Sequence, residues 1–121
     1  MSANLAVVEK SENPDPSSQP APEVVVLKFG SSILRGPAEA PLVASAVYGH
    51  VRAGRKVVAV VSAFGGATDR LLAEARALGL AHSNDLLPGY VALGEEKSAA
   101  LVAIACDRIG LDAVSYTHLT L

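Results

Sequence analysis

Two short apolar runs stand out from the more polar stretches around them. Val24-Val25-Val26-Leu27 and Val57-Val58-Ala59-Val60-Val61 are continuous, brief and rich in β-branched residues. That pattern belongs to strands buried on both faces of a parallel sheet, where neither side needs to be polar. Between the runs, Pro37 marks a helix start, and Leu42, Val43, Ala46, Val47, His50 and Val51 recur on one helical face. Gly54 stops that helix. Strand, helix and strand therefore predict a βαβ unit with a right-handed crossover, its first strand ending near Lys28 and Phe29.

Further along, Thr68 is placed to cap a helix whose Leu71, Leu72, Ala75 and Leu78 form an apolar stripe ended by Gly79. Ser83-Asn84-Asp85 and Pro88-Gly89 are turn formers flanking Leu86 and Leu87, which suit a short helix of their own. From about Glu95 to Ile109 the Ala, Leu, Glu and Lys content predicts a helix that Gly110 terminates, with a strand expected from near Asp112. Residues 1–22 carry the densest Ser, Pro, Asn and Gln content and read as a disordered leader. The fold class is α/β with a mainly parallel sheet.

The chain has 121 residues, half of them hydrophobic, enough to bury one core. Ten Lys and Arg against twelve Asp and Glu leave a net charge of -2, which argues against a nucleic-acid or membrane-surface partner. Every apolar stretch is interrupted too early to span a bilayer, and the short run from Leu5 to Val8 is no signal peptide, so a cytoplasmic location is expected. Cys106 stands alone in an apolar helical pattern and reads as core packing. His50, His82 and His118 lack metal-ligand spacing, so no metal is assigned to the protein itself.

Three segments carry candidate chemistry. Lys28-Phe29-Gly30-Ser31-Ser32 puts an ammonium at the exit of a strand, before a turn of small side chains. Small residues let backbone N–H groups approach a polyphosphate, and a lysine neutralises its charge. A solvated lysine before an ordinary turn is the competing account. Ser62-Ala63-Phe64-Gly65-Gly66-Ala67-Thr68-Asp69 follows the second strand. Parallel pairing brings both loops to the carboxyl edge of the sheet, where ligands of open α/β sheets bind. Gly94-Glu95-Glu96-Lys97-Ser98 places a carboxylate at an expected helix entrance, able to accept hydrogen bonds from an ammonium group, while Ser98 can cap or back-bond. For Glu96 and Lys97 a solvated first turn is the stronger account; for Glu95 both stay open on the residues alone.

Together and in this order, the three segments resemble the N-terminal half of aspartate kinases, within the amino acid kinase family. There a Lys-Phe/Tyr-Gly-Gly-Ser/Thr-Ser segment, a Ser-Ala-x-Gly-x-x-Thr-Asp segment and a Gly-Glu-x-x-Ser-Ala-x-Leu segment recur, matched here by residues 28–32, 62–69 and 94–101. The resemblance implies an α/β/α sandwich, here incomplete. It implies contacts from Lys28, Phe29, Gly30, Ser31 and Ser32 to ATP phosphates, with Lys28 catalytic, and an aspartate pocket lined by Ser62, Thr68 and Glu95. The implied reaction moves the γ-phosphoryl group of ATP to the side-chain carboxylate of L-aspartate, the first step toward lysine, threonine and methionine, with Mg²⁺ arriving on ATP. The implied full-length enzyme is a homo-oligomer.

One residue departs from the family pattern: Ser31 stands where its second glycine is expected, at some cost in φ and room. The last eight residues, Val114-Ser115-Tyr116-Thr117-His118-Leu119-Thr120-Leu121, resemble the in-frame translation of a transposase-type sequencing adapter. On that reading the kinase segment covers residues 23–113, residues 114–121 are non-native, and the isolated chain is inactive. The alternatives are another amino acid kinase acting on glutamate, acetylglutamate or a nucleotide, the kinase part of a fusion with homoserine dehydrogenase, and a chain without catalysis, either a functionless fragment or a small binding module.

Overall fold

A computed structural model describes residues 21–80 and 85–116, together with the backbone of residues 4–10. Its strands are β1 (Asn4–Lys10), β2 (Val24–Phe29), β3 (Lys56–Val61) and β4 (Leu111–Tyr116). Its helices are α1 (Ala40–Arg52), α2 (Ala67–Ala77) and α3 (Leu87–Arg108), and a 3₁₀ turn over Pro37–Glu39 leads into α1. The sheet order is β2-β3-β1-β4. β2 and β3 are parallel, in register from Val24↔Lys56 to Phe29↔Val61. β1 runs antiparallel to both β3 and β4, so β2, β3 and β4 share one direction and the sheet is mixed, with β2 and β3 as its parallel pair.

Both α1 and α3 pack against the sheet and against each other, and α2 rests on α3. The core lies between this helical layer and one sheet face: Phe29, Val57, Val61 and Leu111 meet Val43, Val47, Val51, Ala99, Val102 and Cys106. Burial of these side chains is the main stabilising term, at roughly 25 cal/mol per Å² of apolar surface. Cys106 is fully buried, which pushes its thiol up to about 11 and leaves it an inert packing group, as expected from its apolar surroundings in sequence.

Several expectations need correction. Composition predicts a disordered leader over residues 1–22, yet Asn4–Lys10 forms the strand that joins β3 to β4. Its Leu5-Ala6-Val7-Val8 core has strand propensity that the Ser- and Pro-rich residues after it outweigh in the composition. Residues 11–20 lie outside the described residues. The strands are also not buried on both faces, because Val24 and Val26 are exposed on the side away from the helices. In α1 the buried face is Ala40, Val43, Ala44, Val47 and Val51, while Leu42 and Ala46 point outward. Leu78 likewise leaves the α2 stripe and is 92% exposed.

Thr68 does not cap α2. Gly66 occupies the cap position in the left-handed region at φ 78, starting the helix at Ala67 and leaving Thr68 inside its first turn. Only glycine adopts that conformation freely. α3 begins at Leu87 rather than near Glu95, absorbing the expected short helix, because Pro88 sits in the first turn where a missing N–H costs nothing. Residues 81–84, which hold Ser83 and Asn84, lie outside the described residues. β4 crosses from Ala113 into Val114 without interruption, and residues 117–121 lie outside the described residues.

Candidate functional site

The three sequence segments converge at the carboxyl edge of β2 and β3. Past Phe29 the chain turns tightly, with the N–H groups of Ile33 and Leu34 both donating to the Gly30 carbonyl, at 3.1 and 2.9 Å. Leu34 anchors this turn in the core, fully buried. Two bonds then stitch it to the second loop: the Ser62 N–H donates to the Phe29 carbonyl (3.1 Å), and the Gly65 N–H to the Leu34 carbonyl (2.8 Å). A β-carbon on Gly65 would stand 3.5 Å from Arg35 Cα and 3.6 Å from the Ser31 carbonyl oxygen, so the loops lie in contact. The expectation that both loops face one edge therefore holds.

Among the described residues, the backbone N–H groups of Ser31, Ser32 and Gly66 donate to nothing. Amides left open on turns of small residues make an anion-binding concavity. Ser31 fits there without strain, since among the described residues none other than glycine takes a positive φ. The expected backbone cost of replacing the second glycine is thus absent.

The third segment reaches the same edge from the middle of α3, not from a helix entrance. Gly94 is the closest approach: a β-carbon there would lie 3.2 Å from Ala63 Cβ and 3.2 Å from Leu71 Cδ1. Four residues on, the fully buried Ser98 donates its hydroxyl to the Ser62 carbonyl at 2.5 Å, with the Glu95 carbonyl 3.1 Å away. Helical spacing puts Glu95 and Ser98 on one face. Glu95 is 8% exposed, and its carboxyl has no hydrogen-bond or ion-pair partner among the described residues. Burial pushes its carboxyl above the usual glutamate range.

Lys28 and Glu95 approach this edge from opposite sides. Lys28 alternates with Val24 and Val26 on the uncovered sheet face and is exposed, whereas Glu95 lies under the helical layer. Ser62 and Thr68 are half-buried, and the Ser62 hydroxyl donates to the Ala63 carbonyl at 3.2 Å. Phe29 is a core residue whose backbone, not its ring, belongs to the loop. Sequence reasoning missed the packing role of Gly94, whose signal was a glycine inside an otherwise strong helix former. It also passed over Arg35 and Arg70, which sit beside the two loops. Among the described residues no group of three or more His, Cys, Asp or Glu side chains is placed to hold a metal ion.

One sheet edge thus gathers two stitched small-residue loops, open amides and a buried carboxylate. The amino acid kinase family model matches residues 23–120. The chain belongs to that family. It is 33% identical over 94 residues to Aspartokinase 2 of Bacillus subtilis (strain 168) and 36% identical over 94 residues to Aspartokinase of Corynebacterium glutamicum. Each alignment covers 78% of this chain but only 23% and 22% of the relative, so the chain spans less than a quarter of their length. The fold is also similar to the crystal structure of aspartate kinase from Synechocystis, with a TM-score of 0.66 and 29% identity over 72% of this chain and 15% of that one. No helix among the described residues is long and apolar enough to cross a membrane.

Proposed function

We propose that this chain carries the phosphate loop and the amino-acid pocket of an aspartate kinase, which transfers the γ-phosphoryl group of ATP to the side-chain carboxylate of L-aspartate. The observation that carries the reading is Glu95, a carboxyl buried beside the glycine loops with no partner among the described residues. An unpaired buried carboxylate is costly, and the α-ammonium group of an amino acid would neutralise it. The half-buried Ser62 and Thr68 would supply hydroxyls to the same pocket. The open amides of Ser31, Ser32 and Gly66 would receive phosphate oxygens, and Lys28 would balance charge on the transferring group. The substrate carboxylate is itself the nucleophile, so the site need only align it and stabilise charge. The cytoplasmic location, the homo-oligomer and the place in lysine and threonine synthesis belong to the same reading.

A chimera tests it. Residues 23–113 would replace the matching N-terminal segment of Aspartokinase 2 of Bacillus subtilis, with hydroxylamine used to trap aspartyl phosphate. Turnover on L-aspartate that Lys28→Ala abolishes in a still-folded protein is the expected result. A folded chimera that prefers glutamate or acetylglutamate contradicts it.

A further inference from the structure

Two arginines outside the expected site residues flank the junction of the loops. Arg70 folds back over the second loop, its Nη1 3.3 Å from where a β-carbon on Gly66 would stand. Arg35 ends the first loop, its Nε donating to the Ser32 carbonyl at 3.3 Å while its backbone lies against Gly65. The two loops touch through Gly65 and the Arg35 backbone, so the Arg35 guanidinium on the first loop and the Arg70 guanidinium on the second stand beside the turns that carry the open Ser32 and Gly66 amides. Neither forms an ion pair among the described residues. By contrast Arg55, away from the loops, meets Glu23 at 3.7 Å. Cations without a counter-charge beside open amides make the local potential positive, which favours an anion there.

We infer that Arg35 and Arg70 form a second tier of phosphate recognition, gripping the phosphate chain from the rim while the loop amides hold it from below. The inference rests on the polyphosphate site proposed above. A guanidinium suits the task because its planar fork of donors matches phosphate oxygens, and both side chains are exposed, so the approach costs little desolvation. Lys28 acts at the strand end as a point charge; the arginines set affinity and orientation for the chain of phosphates.

The test uses the full 121-residue chain, inorganic tripolyphosphate as probe and backbone amide NMR shifts as readout, with L-aspartate titrated separately on the same samples. Tripolyphosphate should shift the Ser31, Ser32 and Gly66 amides. Arg70→Ala should weaken binding about tenfold and Arg35→Ala by a smaller factor, while Arg70→Lys recovers part of the loss, consistent with one charge-assisted contact each. Both variants replace exposed side chains, so unchanged melting is expected and separates binding from folding. Wild-type affinity in both alanine variants overturns the inference, and so does a wild-type chain that ignores tripolyphosphate. If aspartate leaves the Glu95 region unmoved while the arginine effects appear, the amino-acid pocket fails and this inference stands.

Discussion

The two faces of the sheet carry similar residues and have different fates. Val57, Ala59 and Val61 are fully buried under α1 and α3, whereas their neighbours Val24 and Val26 across the pleat are more than half exposed. Both sets are apolar, because a run such as Val57-Val58-Ala59-Val60-Val61 has no polar side. Pattern therefore reports what a strand tolerates, and the layer packed on it decides what is buried. The candidate site inherits this asymmetry. Its carboxylate and clamping serine belong to the covered side and are buried; its lysine belongs to the uncovered side and is exposed.

The sharpest way to break this comparison is to place one charge on each face. Val57→Asp buries an unpaired carboxylate and is expected to cost more than about 4 kcal/mol, unfolding the chain, while Val26→Asp should cost under about 1 kcal/mol. Urea denaturation measures both, and equal costs would mean that the two faces are covered alike. Next in size is Ser98→Ala, which leaves the Ser62 carbonyl unpaired in the interior and should cost about 1 to 3 kcal/mol. Ser98→Thr, which keeps the hydroxyl, should recover part of that loss unless its added methyl clashes.

Two glycines in helices sharpen the contrast further. At Gly49 of α1 an added β-carbon would meet only open space, so Gly49→Ala should stabilise by up to about 1 kcal/mol through helix propensity alone. Gly94→Ala meets Ala63 and Leu71 at 3.2 Å and should instead destabilise, by about 1 kcal/mol, pushing α3 away from the loop. Opposite signs in thermal melts are the expected outcome. The smallest effect is on pH. Burial raises the Glu95 carboxyl in the folded state, so the folded chain holds that proton more tightly than the unfolded chain. Its contribution is then complete below the ordinary glutamate range and is lost as pH rises through the raised folded value. Subtracting a Glu95→Gln series from the wild type between about pH 4 and 7 isolates it.

Much of this architecture was legible in the residues. The strand, helix and strand of the first unit, the glycine stops at Gly54, Gly79 and Gly110, and the meeting of two loops at one edge all follow from local pattern and parallel pairing. The failures have local causes as well. Gly66 in the left-handed region displaces Thr68 from the cap, a choice that residue preference alone does not reveal. Pro88 and Gly89 read as breakers, although proline in a first turn begins a helix as readily as it ends one. β1 is hidden because its pairing is with residues more than 40 positions away, and only the assembled sheet supplies those partners. In the site, Glu95 is visible as a carboxylate beside glycine; its burial without a partner among the described residues is not, because that depends on where α3 crosses the loops.

At the centre of the proposed function is one amino-acid pocket, built by residues 62–69 and 94–98 around Glu95. Titrating the isotope-labelled chain with L-aspartate while following its backbone amides tests this most directly. Saturable shifts confined to those two segments, and their loss in Glu95→Gln, are the predicted result. Shifts that persist in Glu95→Gln, or a pocket that does not respond to L-aspartate at all, would contradict it.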